Sequence, residues 1–186
     1  RVGWAARRGR GPAHTNPYRD RKHGRISRGI WDGAPKSKST SLAKPRPHQL
    51  VAALDSDDLF WRQTAQRLLV DGDHKMAIAA LRERALGQSA GAIHALWALE
   101  GLDSLDAETK RATLISTDAA VKRNAVQVLG QAAADEQLLY DSATLADADL
   151  HVRLAAFIKL AQFPKSKTHQ RAASILARDK TNAEDE

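Results

Sequence analysis

Ala65, Ala95, Ala125 and Ala156 recur about every thirty residues, and Leu69, Leu99, Leu129 and Leu160 follow them in register. A period of that length belongs to a helical pair stacked on copies of itself, because one such unit cannot bury its apolar face alone. A helix that faces two neighbours needs a small residue at the closest approach and a larger one a turn away. Ala and Leu fill those two roles. Around them three copies keep an Asp (Asp58, Asp118, Asp149) and, four places later, a base (Arg62, Lys122, Arg153). The second copy has Gln88 and Ala92 at these places. The Asp is expected to cap free amides at the first turn and to pair with the base along the same helix face.

The spacing predicts helices over 47–54 and 57–70, 74–86 and 90–100, 106–115 and 118–131, 135–145 and 149–162, with a last one over 167–178. Pro47 suits a first helical position. Gly72, Gly101, Gly130 and Pro164 stand behind the second helix of each pair and read as breakers. Apolar residues make up 42% of the chain and aromatics only 5%, which suits Ala/Leu-rich helices better than a β-sandwich. The fold class expected is therefore all-α, a stack of about four helix pairs over 47–178, followed by a polar tail over 179–186.

Residues 1–46 differ. They are rich in Gly, Pro, Arg and Ser, lack helical periodicity, and end in the linker-like run Pro35 to Ser41. One island, His23 to Trp31, alternates basic with apolar or small residues before Asp32-Gly33 and reads as a short strand ending in a turn. The net charge of +7 is divided unevenly. Residues 1–48 hold 13 Lys and Arg against 2 Asp and Glu, whereas the remainder holds 16 against 20. Attraction to phosphate would have to come from the leader.

Chemistry is scarce. With no Cys, the chain has no disulfide, thiolate zinc site, cysteine nucleophile or c-type haem attachment of its own. No run of eighteen apolar residues is present, so no membrane span is expected. No nucleotide-binding glycine pattern appears, His74, His94 and His151 lie in separate copies, and Asp71-Gly72-Asp73 reads as a turn rather than a calcium loop. The chain opens on Arg1 without a basic-apolar leader and reads as a segment of a longer protein.

Three segments carry a family resemblance: Tyr18 to Ile26 (YRDRKHGRI), Leu50 to Leu54 (LVAAL) and Asp58 to Val70 (DLFWRQTAQRLLV). Together with Ile93 to Leu99 (IHALWAL) and Gly101-Leu102, they resemble the PVC-type membrane-bound dehydrogenase-like, haem-binding proteins. In that family a β-propeller is followed by HEAT repeats and usually a cytochrome c domain. The resemblance covers most of residues 18–102, beyond which the pattern is generically HEAT-like. It implies that residues 23–31 close a propeller, that residues 47–178 are HEAT repeats, that haem c sits on a domain outside this chain, and that the parent is periplasmic or envelope-associated. No cofactor is expected on this chain.

The candidate contact residues are His23, Arg25, Phe60, Trp61, Arg62, His94 and Trp97. His23-Gly24-Arg25 reads either as a phosphate or cofactor contact or as a turn entering a strand. Phe60-Trp61-Arg62 reads either as an aromatic-cation patch or, by helical spacing, as aromatics packed between the first helices and the linker. Two functional readings follow. The first is a non-catalytic scaffold that docks a protein or an adjacent domain of the same parent chain. The alternative is a nucleic-acid-binding repeat protein that uses the basic arm, with Trp4, Tyr18 and Trp31 among its arginines.

Overall fold

The computed structural model describes Gly33, residues 41–164, and His169, Gln170, Ala173, Ser174 and Arg178. The elements all belong to the compact unit Ser37–Glu186. Eight helices follow in order: α1 Pro47–Ala53, α2 Leu59–Asp71, α3 Ile78–Ala85, α4 Ala90–Gly101, α5 Ala107–Leu114, α6 Ala119–Gln127, α7 Ala133–Asp141 and α8 Leu150–Gln162. No strand occurs among the described residues, so the described fold is all-α. The strand expected over His23 to Trp31 lies outside them, as does most of the helix expected over 167–178, whose five described residues are helical.

Helix starts follow the local chemistry. Asp58 accepts the Phe60 N–H at 2.9 Å, Asp118 accepts from Ala120 and Val121 at 2.7 and 3.1 Å, and Asp149 accepts from His151 and Val152 at 2.9 and 3.1 Å. These amides have no partner within their own helix, so each carboxylate replaces water at a helix end. The Val152 N–H, ahead of the other causes, holds the Asp149 carboxyl below its usual range. In the second copy the cap is Ser89, one place after Gln88, and it accepts the Ala92 N–H at 3.4 Å. Pro47 occupies the first turn of α1, where Gln49 accepts the Arg46 N–H at 2.8 Å.

The helix ends differ from expectation. Gly72 has ordinary backbone angles, and the left-handed residue behind α2 is Asp73, at φ 45°. Asp73 N–H bonds the Val70 carbonyl at 3.0 Å and His74 N–H bonds that of Leu69 at 3.1 Å. Thirty residues on, Asp103 at φ 51° repeats the pattern, with Asp103 N–H on Glu100 at 2.9 Å and Ser104 N–H on Leu99 at 2.9 Å. Both are Schellman turns with Asp where glycine is usual. Gly101 serves packing instead, since a Cβ there would stand 2.9 Å from Val70 Cγ2. Replacing Asp103 with Gly should remove the left-handed strain and raise stability by about 1 kcal/mol, read as a higher urea midpoint with unchanged slope. A lower midpoint would show that the Asp side chain earns its place.

The 74–86 and 135–145 segments are each split. A 3-10 turn at Lys75–Ala77 precedes α3, and α7 stops before Ala143, at φ 57°, which opens a second 3-10 turn over Thr144–Ala146. Helix α6 stops at Gln127, four residues earlier than its expected end, and the Lys159 ammonium bonds the Gln127 carbonyl at 3.1 Å.

Helices pack in two rows. α2 touches α4, α4 touches α6 and α6 touches α8, while α1, α3, α5 and α7 make a parallel series of contacts; each odd helix also packs on the even helix that follows it. The recurrent alanines sit between the rows: Ala65, Ala95, Ala125 and Ala156 are fully buried, with Leu69 and Leu99 beside them. Residues one turn earlier, Val121 and Val152, are also sealed, while the matching Gly91 lets α4 close on the end of α1, within 3.0 Å of the Leu54 carbonyl for any added Cβ. Helices of this length are marginal alone, so neighbour contacts hold them.

The expected pairing of each capping Asp with the base four residues on is not formed. Arg62 donates instead to the Ser56 carbonyl at 2.6 Å, and Lys122 reaches Asp147, ahead of α8. Arg67–Asp71 and Lys75–Asp73 are local pairs, whereas Lys122–Asp147 and three others run between successive helix pairs. Arg82 meets Asp106 at 2.7 Å, Arg84 meets Asp55 at 2.6 Å and Lys110 meets Asp135 at 2.8 Å. A capping carboxylate can still take a base from the preceding unit, since Asp106 accepts the Thr109 N–H at 2.7 Å while it receives Arg82.

Candidate functional site

The even row carries the groove that contains two of the predicted contact residues. α2 and α4 border an open cleft of about 510 Å³ lined by Gln63, Gln66 and Arg67 on one side and His94, Trp97 and Glu100 on the other. These residues recur on one helix face at spacings of three and four, and they rise from the same helices whose opposite faces build the core.

Two cross-helix hydrogen bonds fix the cleft wall. His94 Nδ1 lies 2.6 Å from Gln66 Oε1, which requires the tautomer with the proton on Nδ1. The Trp97 indole N–H donates to Asn124 Oδ1 on α6 at 2.8 Å, and Asn124 in turn donates to the Ala120 carbonyl at 2.8 Å. Trp97, its N–H held toward α6, is among the residues that line the cleft. Arg67 sits 4.0 Å from Asp71 in an exposed pair, whereas Glu100 has no ion pair among the described residues.

His94 is half-buried, and desolvation, followed by the nearby Arg62 guanidinium, holds its pKa below the ordinary 6.5. The folded protein therefore prefers the neutral ring. The associated stability is present in full above about pH 6.5 and is lost as pH falls through the lower, folded value. His94→Gln should flatten this component, so the wild-type advantage in melting temperature at pH 7.5 should shrink at pH 5. Parallel pH curves for the two proteins would contradict it.

Of the remaining candidates, Phe60 and Trp61 do not pack together into the core. Phe60 is 61% exposed, Trp61 is half-buried, and their rings meet edge-on at 5.0 Å. Arg62 is brought near His94, though its Nη1 turns to Ser56. His23 and Arg25 lie outside the described residues. Asn124 and Gln66, which orient Trp97 and His94, escaped the sequence reading because an amide on a helix surface carries no local signature.

A further row of exposed apolar side chains, Leu150, Leu154 and Ile158, runs along α8 at four-residue intervals. No cluster of His, Asp and Glu able to hold a metal occurs among the described residues, and no described helix is long and apolar enough to cross a membrane. Compared with protein-family models, curated proteins and solved structures, the chain has no match.

Proposed function

We propose that residues 47–178 form a HEAT-like repeat scaffold without catalytic activity or a cofactor of its own, docking a protein partner or an adjacent domain of the same parent chain. The observation that carries this reading is the two-row contact series, α2 to α8 and α1 to α7, built on the thirty-residue Ala/Leu register. Stacked pairs of this kind lay one helix of each unit side by side and so offer an extended surface. The even row supplies such a surface, with its polar cleft at α2 and α4 and its apolar stripe on α8.

Residues 18–102 keep their resemblance to the PVC-type dehydrogenase-like proteins as the preferred family assignment, in which haem c and any dehydrogenase chemistry would reside on other domains and the parent would be envelope-associated. The alternative is nucleic-acid binding through the leader, favoured by its 13 Lys and Arg against 2 acids.

One experiment separates the readings. A photo-crosslinker at Gln63 on the even row should trap a discrete partner in the source cell, and one at Arg111 on the odd row should not. Removing residues 1–46 should leave both helicity and capture intact. Loss of capture with helicity retained, together with steeply salt-dependent RNA or DNA binding by the full chain, would favour the basic arm.

A further inference from the structure

The cleft between α2 and α4 has a composition that selects among ligands. Its charged lining is Arg67, Asp71 and Glu100, and the single cation already leans on Asp71. That leaves Glu100, three residues after Trp97 and so on the same face of α4, as a carboxylate without an ion pair among the described residues; the Lys159 ammonium feels its charge from outside the lining and is itself tied to the Gln127 carbonyl. The indole is anchored through Asn124 and presents apolar, electron-rich surface beside that carboxylate. His94, held neutral by burial, adds no competing positive charge at physiological pH. Arg62 lies outside the lining and is tied to the Ser56 carbonyl.

We propose that this cleft is a binding site for a cationic side chain, lysine or arginine, presented by an extended segment of a partner protein. The aliphatic stem lies along Val70 and Trp97, and the charged head reaches Glu100. Gln63 is exposed on the opposite wall, and the amide nitrogen of Gln66 is left over once its oxygen engages His94. Both can hydrogen-bond the main chain of such a segment, which favours an extended peptide over a free amine. An acidic peptide would meet the excess carboxylate, and a purely apolar one would leave Glu100 desolvated without a partner.

This inference deepens the scaffold reading and rests on the even row being the docking face. Its test uses the full, isotopically labelled chain and three blocked tripeptides, Gly-Lys-Gly, Gly-Nle-Gly and Gly-Glu-Gly, followed at the Trp97 indole N–H and the Glu100 amide by NMR. The lysine peptide should give saturable shifts with an affinity about fivefold tighter than the norleucine peptide. Glu100→Gln, an exposed change, should erase that margin while leaving the spectrum folded. Equal response to all three peptides, preference for glutamate, or no saturable response to the lysine peptide up to about 10 mM would overturn it. If crosslinkers on the even row still capture a partner in that case, the scaffold stands and only the cationic assignment falls.

Discussion

Asp135→Ala is expected to lower the unfolding free energy by about 3–5 kcal/mol, the loss typical of a buried ion pair deprived of one member. Asp135 is 6% exposed at the start of α7, with Lys110 of α5 at 2.8 and 3.1 Å and the Gly130 N–H at 2.7 Å. The carboxylate thus neutralises a largely buried ammonium and satisfies an amide in the turn behind α6. The Lys159 ammonium feels it too. Burial lowers the Lys159 pKa, and Asp135 is the leading influence that opposes the fall. Removing the carboxylate strands an amide and weakens the support of two cations at once. Asp135→Asn, which keeps an acceptor for Gly130 but not the charge, should cost less, and Lys110→Met combined with Asp135→Ala should cost less than the two changes summed. Urea unfolding followed by circular dichroism reads all four proteins; a loss below about 1 kcal/mol for Asp135→Ala would put the pair in the class of solvent-exposed bridges.

The second large effect concerns Leu99, which is fully buried in α4. Leu99→Ala should cost about 2–5 kcal/mol through lost burial and the cavity left behind. Its position gives the loss a second signature. α4 contacts α2, α3 and α6, so a defect there weakens the coupling between the first helix pair and the last two. A nearest-neighbour array with a weak central interface unfolds in parts, and the denaturation slope should fall along with the midpoint. Trp61→Ala, at a half-exposed site, should cost about 1 kcal/mol with the slope unchanged. A slope retained in Leu99→Ala would mean that the two ends fold independently of α4.

Local chemistry made the helix starts and the core readable in advance. Asp58, Asp118 and Asp149 announce three N-termini because a carboxylate is useful there in any context, and the Ala/Leu register marks the buried face because period alone decides it. What escaped prediction depends on distance in space. The partners of Arg82, Lys110 and Lys122 lie twenty-four or twenty-five residues away, an offset fixed by how one pair leans on the next. Lys159 occupies the register position filled by Leu68, Ala98 and Val128, and the Gln127 carbonyl at the adjacent end of α6, together with the Asp135 carboxylate, supports the buried ammonium there. Phe60 goes the other way: helical spacing predicts a packed ring, and the structure leaves it 61% exposed, edge-on to Trp61. For the groove, His94 and Trp97 were visible as residue types. Their fixed orientations come from Gln66 and Asn124, on other helices.

The two turns behind α2 and α4 have a consequence for how such a chain can change length. Asp73 and Asp103 stand thirty residues apart, adopt the same left-handed geometry and close the same pair of hydrogen bonds. A cassette cut at these two aspartates therefore begins and ends on interchangeable joints. Duplicating residues 74–103 in tandem would insert one more α3–α4 unit with its entry and exit angles already matched. The added unit would also bring Arg82 and Arg84 with it, though not the aspartates that receive them, Asp106 and Asp55, both of which lie outside the cassette. Growth by whole units is thus permitted by the backbone but tolled by electrostatics, since the inserted copy carries two guanidinium groups whose acidic mates belong to its flanks.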